Sequence, residues 1–248
     1  MKHLILLALL LASQFTFAGD DLNKGDSVAL GRLAAMLEQI GGRAAWAEAR
    51  SLYTMEKARS PHYGDGIVSE SWHDLESPGS WGDIKHPRFN ARYAWSPEGG
   101  WIGREGEYRD MIDDEIKEKT FYWHRDIYTL FHQLAIGDQG FTLETIQPNG
   151  FRVLDQKYRQ LAEFHLTADN EVYRFIQLGG KGTHAYIYGP YRSFGNTQFP
   201  DWSTSTDGKW GAYYVQVMPS SKPFREQVSV KKPVLEWHGG AVKNNCEP

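Results

Sequence analysis

The stretch Phe89-Asn90-Ala91-Arg92-Tyr93-Ala94-Trp95, followed by Ser96-Pro97-Glu98-Gly99-Gly100-Trp101, decides the class of fold. In an extended chain Phe89, Ala91, Tyr93 and Trp95 fall on one side and Arg88, Asn90, Arg92 and Ala94 on the other, because successive side chains point to opposite faces. One face is apolar and the other wet. Pro97-Glu98-Gly99-Gly100 reads as a hairpin turn with its return strand starting at Trp101, and Asn149-Gly150 and Asp169-Asn170 give similar turn signals farther on. Working outward from this hairpin, alternation places strands near 51–58, 66–75, 87–95, 100–109, 141–147, 150–155, 160–166, 171–177, 183–189 and 211–217. Short turns between successive strands make an antiparallel meander. About nine to eleven strands are more than one flat sheet usually holds, so the sheet is expected to curl into a half-barrel.

Helical periodicity brackets and interrupts this meander. From a helix cap at Ser27, the residues Val28, Leu30, Leu33, Ala34, Leu37 and Ile40 recur every three or four positions up to Gly41-Gly42, which predicts an amphipathic helix with a glycine stop. A second short helix follows over 43–50. A long helix is expected over 113–134, where Ile112, Ile116, Trp123, Ile127, Leu130 and Leu134 form one stripe and Asp113, Asp114 and Glu115 suit the positive N-terminus. Gly137-Asp138-Gln139-Gly140 ends it. This helix should cover the concave face of the sheet, leaving His132 pointing away from the apolar stripe, toward solvent.

Residues 1–18 read as a cleavable export signal: Lys2, an apolar run over 4–12, then small Thr16 and Ala18, with cleavage after Ala18. The run is shorter than the roughly 20 residues a spanning helix needs, and no cysteine follows it to accept a lipid, so an unanchored exported protein is expected. Cys246 is the one cysteine, so no internal disulfide holds the fold and its core must do so. The remainder is expected to form a single domain over 19–218, followed by an irregular tail or edge strand over 219–248. Net charge is −4, or −5 without Lys2, and no Lys/Arg cluster marks a nucleic-acid footprint.

Motifs for catalysis are weak. Gly25-Asp26-Ser27 superficially resembles the nucleophile block of GDS-type esterases, but no buried strand precedes it and no Asp-x-x-His follows near the C-terminus, so Ser27 is assigned to helix capping. No His-Glu-x-x-His occurs, His124 and Asp126 point apart on a helix, and convergence of His62, His73 and His86 cannot be read from spacing, so no metal or cofactor is expected. A glycosidase-like pair among Glu70, Asp74, Glu105 and Glu107 would need a separation that spacing does not give. The aromatic set is the most informative. Trp72, Phe89, Tyr93, Trp95, Trp101, Trp123, Tyr173, Phe175, Tyr186, Tyr188 and Tyr214 occupy strand or helix positions, many on faces assigned inward, and are the candidate ligand-binding residues. Core packing accounts for most of them; a curved sheet under a helix can also leave a cavity suited to an apolar guest.

The order of elements resembles the LolA/LolB-like superfamily of periplasmic lipoprotein carriers and receptors: a first helix ending in Ile40-Gly41-Gly42, a short second helix, paired strands over 51–95, a helical insertion, and further hairpins to about Met218. The resemblance spans most of the chain after the export signal. It implies an unclosed antiparallel barrel with helices over the opening, a periplasmic location, and a lipid or other hydrophobic ligand in the interior. The chain departs from the family in its extra length over 112–135 and after 190, and no functional residue carries over. An enzyme in the same barrel, using inward polar groups such as His184 or Arg92, is the alternative from another class, and a glycan-binding module with exposed aromatic platforms is a third.

Overall fold

The computed structural model describes residues 23–179 and 182–233. The export signal and cleavage point expected over residues 1–18, and Cys246, lie outside the described residues. The chain runs β1 (Lys24–Gly25), α1 (Ser27–Gln39), α2 (Arg43–Glu48), β2 (Ser51–Ser60), β3 (Gly64–Asp74), β4 (Ser80–His86), β5 (Phe89–Ser96), β6 (Gly99–Arg104) and β7 (Glu107–Asp110). It continues through α3 (Asp113–Trp123), α4 (Ile127–Ile136), β8 (Thr142–Ile146), β9 (Gly150–Leu154), β10 (Gln160–Leu166), β11 (Val172–Gln177) and β12 (His184–Tyr188). The last elements are β13 (Tyr191–Phe194), β14 (Thr197–Pro200), β15 (Trp202–Ser205), β16 (Gly211–Ser220) and the single turn α5 (Phe224–Gln227).

This is an α+β fold with more strands than the alternation predicts. Fourteen strands form one open sheet in the order β1-β8-β9-β10-β11-β12-β15-β16-β2-β3-β4-β5-β6-β7, and β13 and β14 pair separately. The sheet is mixed rather than wholly antiparallel, since β1 runs parallel to β8. The single strand expected over 100–109 is two, β6 and β7, joined through Glu105, which adopts a positive φ of 53°. The chain after Tyr191, expected to be irregular, forms the separate pair β13 and β14 and then returns to the sheet as β15 and β16.

The long helix expected over 113–134 is two helices. Asp126 has extended backbone and its carboxylate accepts from the N–H groups of Tyr128 and Thr129, so it starts α4 afresh three residues after α3 ends. At the start of α3, Glu115 reaches back to the N–H of Ile112 and is clasped by Arg109 at 2.8 Å. The cap of α1 is Asp26 rather than Ser27: Asp26 accepts from the N–H of Ala29 and also from the N–H and hydroxyl of Thr145 on β8. The helix is rotated from the expected stripe, burying Ala29, Leu33, Met36 and Leu37 while Val28 is 52% exposed. Gly41, at φ 116°, ends the following turn where the β13–β14 loop crosses; a Cβ there would press on the carbonyl of Asn196.

The core lies between the helices and one face of the sheet. Phe151, Phe164 and Phe175, on adjacent strands, pack ring to ring at 5.0 Å spacings, and Phe131 of α4 sits between Phe164 and Trp46 of α2. Helix α4 is apolar nearly all round because it is covered on all sides, Ile127 to Ala135 being buried. His132 is therefore not in solvent as expected: it is buried and its Nδ1 meets the carbonyl oxygen of Trp46 at 2.9 Å.

Three hydrogen bonds show how strongly the sheet bends. The indole of Trp123 donates to the carbonyl of Asp74 at the end of β3 (2.7 Å), while Arg125 donates to Leu178 just past β11 (2.8 Å) and Gln177 of β11 to Tyr122 (3.3 Å). Five strand spacings separate β11 from β3 in the sheet order. On a flat sheet that is roughly 24 Å. Neighbouring residues of one helix end reach both, so the two halves face each other across α3 and α4. Residues 221–233 cross the far side: Phe224 is buried and the carbonyl of Val230 accepts from the Trp101 indole at 2.8 Å. Among the described residues no helix is long and apolar enough to cross a membrane.

Candidate functional site

Where the bent sheet leaves the Phe ladder, the space under the start of α4 is hollow. A cavity of about 650 Å³ is bounded by Glu56, Asp126, Ile127, Tyr128, Phe175, Gln177, His184, Tyr186, Tyr188, Ser203, Trp210 and Tyr214, with Asp207 and Lys209 near its edge. A smaller hollow of about 290 Å³, lined by His73, Tyr93, Trp95, Lys119, Tyr122 and Trp123 among others, shares Asp126 and Gln177 with it. The two are neighbouring halves of one trough beneath the α3–α4 junction.

Strand register explains which side chains reach this trough. Phe164, Phe175 and Tyr186 are directly paired across β10, β11 and β12, and directly paired residues share a face. Tyr188 pairs with Ser203 and Tyr214 with Glu56, so these four also face inward. Leu52, Thr54 and Glu56 alternate along β2 on the same face. His73 is paired with Leu52 and faces the ring of Tyr128 at 5.2 Å.

The floor of the larger cavity is a line of hydroxyls: Tyr128 donates to the Tyr214 oxygen at 3.2 Å, and Ser203 Oγ lies 3.0 Å from the same atom. Two carboxylates border it. Asp126 is held by N–H groups at the start of α4, yet burial pushes its pKa up to about 6. Glu56 is pushed up to about 7, by burial first and by the nearby charge of Asp126 second. Both remain partly accessible through the cavity itself. Among the described residues, no hydrogen bond or ion pair reaches the Glu56 carboxylate. The phenols of Tyr128, Tyr188 and Tyr214 are raised, burial being the main cause. His73 is driven down to about 4 by burial and stays neutral at ordinary pH.

Of the aromatic residues singled out from sequence, Phe175, Tyr186, Tyr188 and Tyr214 line the larger cavity and Tyr93, Trp95 and Trp123 the smaller one. Trp72, Phe89, Trp101 and Tyr173 border neither. Trp72 pairs with Trp81, Trp81 with Ala94 and Ala94 with Trp101, a row on the face opposite Trp95. Phe89 packs with Tyr63 and His86 away from the trough. Tyr173 is skipped in the pairing of β10 with β11, where Leu166 meets Val172 and His165 meets Arg174; this bulge leaves Tyr173 40% exposed.

The polar candidates separate in the same way. His184 lines the cavity, its Nε2 lying 3.4 Å from the Tyr122 hydroxyl, whereas Arg92 is on the other face beside Asp83 at 3.2 Å. Glu70 binds Tyr53 and Lys85, Asp74 accepts from Glu76 and Ser77, and Glu105 accepts from Asn90, so none of these carboxylates serves the trough. Glu56 and Asp126 were not legible as site residues. An equally large hollow, around Lys57, Arg59, Asp65, Val68, Trp202 and Tyr213, lies largely on the outer face.

No family model matches the chain, and no curated protein matches it. Among solved structures, LprF from Mycobacterium bovis is similar over 82% of this chain and 97% of its own, with a TM-score of 0.31 and 8% identity, and so loose a likeness carries no argument.

Proposed function

We propose that the protein binds a small amphipathic, lipid-like molecule in the trough between the α3–α4 junction and the bent sheet. The trough is read as the interior of a LolA/LolB-like half-barrel, and the protein as working in the periplasm after export. The observation that carries the binding reading is the cavity of about 650 Å³, walled by Phe175, Tyr186, Tyr188, Ile127 and Trp210 and floored by linked hydroxyls. That volume lies within the roughly 300–1,000 Å³ of ligand pockets, and an apolar wall with a few convergent polar groups is their usual chemistry. The compartment rests on the signal over residues 1–18, and the half-barrel on the bend that brings β3 and β11 to one helix end.

Native mass spectrometry of the purified protein, with chromatography of its chloroform–methanol extract, tests the reading. A co-purifying molecule with an apolar chain is expected. An empty protein that also leaves an environment-sensitive acyl probe unquenched and unshifted would sink it.

One observation favours a second reading, an enzyme: Glu56, titrating near neutrality beside a hydroxyl chain, has the chemistry of a general acid or base. Turnover of ester or glycoside reporter substrates that Glu56→Gln abolishes without displacing bound ligand would favour catalysis over carriage.

A further inference from the structure

The polar end of the cavity has a definite electrostatic character. Asp126 spends its hydrogen bonds on the backbone N–H groups of its own helix, and among the described residues no hydrogen bond or ion pair reaches the Glu56 carboxylate. Lys209 is the one cation among the described lining residues, and its Nζ is engaged by Asp207 at 3.0 Å. Among the described residues neither carboxylate is in an ion pair, and in this low-dielectric wall such an arrangement is costly unless a donor or cation arrives. Around them stand Tyr186 and Trp210, edge to face at 5.8 Å, whose ring faces attract cations.

We infer that the ligand's head is a protonated amine, seated between Glu56 and Asp126 with its chain along Phe175 and Tyr186. This rests on the binding function proposed above and adds the head-group chemistry. At the Glu56 end of the larger cavity a fatty carboxylate or a phosphate head would meet two like charges, the nearest cation of the adjoining hollow, Lys119, lying over the rings of Tyr93 and Trp95. A neutral alcohol finds the hydroxyl line but leaves the carboxylates unanswered. A bare divalent ion fits less well, because two carboxylates fall short of the six or more oxygens calcium takes.

Three probes of equal chain length test the inference on the full chain by titration calorimetry, each below its micelle concentration: dodecylammonium, dodecanol and dodecanoate. Dodecylammonium is expected to bind at least tenfold tighter than either of the others. In Glu56→Gln that preference over dodecanol should fall below threefold. Asp126→Asn, which keeps the cap, should narrow the preference in the same direction, so the outcome does not depend on one variant folding. Equal binding of dodecanol and dodecylammonium to wild type, or tighter binding of dodecanoate, would overturn the amine head and leave the binding function standing. No binding by any probe would overturn both.

Discussion

At the scale of the residue, Glu56 concentrates the chemistry of the trough. It sits on an inward position of β2 after Leu52 and Thr54, and burial holds its carboxyl at about 7 rather than the usual 4.5. The folded state therefore binds this proton more tightly than the unfolded chain does. Stability from this group is fully present below about pH 4.5, declines as pH rises toward 7, and is level above. Asp126 acts in the same direction between about 3.8 and 6, while His73, lowered to about 4, acts oppositely below its usual 6.5. Because these trends overlap, the informative measurement is a difference. Urea unfolding of wild type and Glu56→Gln at pH 5 and pH 8 should show the variant gaining on wild type at the higher pH, by about 1–3 kcal/mol. A gap that is the same at both pH values would show that Glu56 is not titrating in this window. Nothing in the sequence marks Glu56: its neighbours Tyr53 and Met55 make the opposite face of β2 look equally apolar, and only the pairing with Tyr214 fixes which face is inside.

At the scale of the element, the junction between α3 and α4 decides whether a trough exists. The apolar stripe through Ile116, Trp123, Ile127 and Leu134 was readable because it persists across the break. The break was not, since Asp126 signals a cap only when its backbone is extended. Removing the cap tests the role of the junction: Asp126→Ala should cost about 1 kcal/mol by leaving the N–H groups of Tyr128 and Thr129 without their partner, offset in part by relief of a buried charge. Asp126→Asn, which keeps an acceptor, should cost less, and thermal unfolding of the pair separates capping from charge. A similar lesson comes from β4, a strand the alternation missed. Its inward positions include Ser80 and Gly82, too small to register as an apolar face, because the ring of Tyr93 lies over Gly82 and fills the space a side chain would take. Gly82→Ala should therefore displace that ring from the wall of the smaller hollow at about 1–3 kcal/mol, read as a lower urea midpoint with unchanged slope.

At the scale of the whole molecule, the fold is a balance between a filled half and a hollow one. Beneath α4 the rings of Phe131, Phe151, Phe164 and Phe175 leave no room; the alternation over 150–155, 160–166 and 171–177 gives the three strands of this part but not whether the space above them is filled. Toward β12, β15, β16 and β2 the same face carries Tyr188, Ser203, Tyr214 and Glu56, and the helices do not descend to fill it. The hairpin of β13 and β14 closes one end through Phe199, which packs on Tyr128 at 5.4 Å and Tyr214 at 4.9 Å. A protein so built has apolar wall exposed to water in its empty state, so occupancy should be coupled to global stability. A ligand that binds only the folded state at one hundred times its dissociation constant adds about 2.7 kcal/mol. For a domain of this size, a shift of about 5–10 °C in Tm follows. Scanning calorimetry with the molecule recovered by solvent extraction should show that rise, and Tyr214→Phe, which removes the hydroxyl shared by Tyr128 and Ser203, should shrink it while keeping the apolar wall intact. A rise left unchanged in Tyr214→Phe would place the ligand away from the hydroxyl floor, in the smaller hollow under Tyr93 and Trp95.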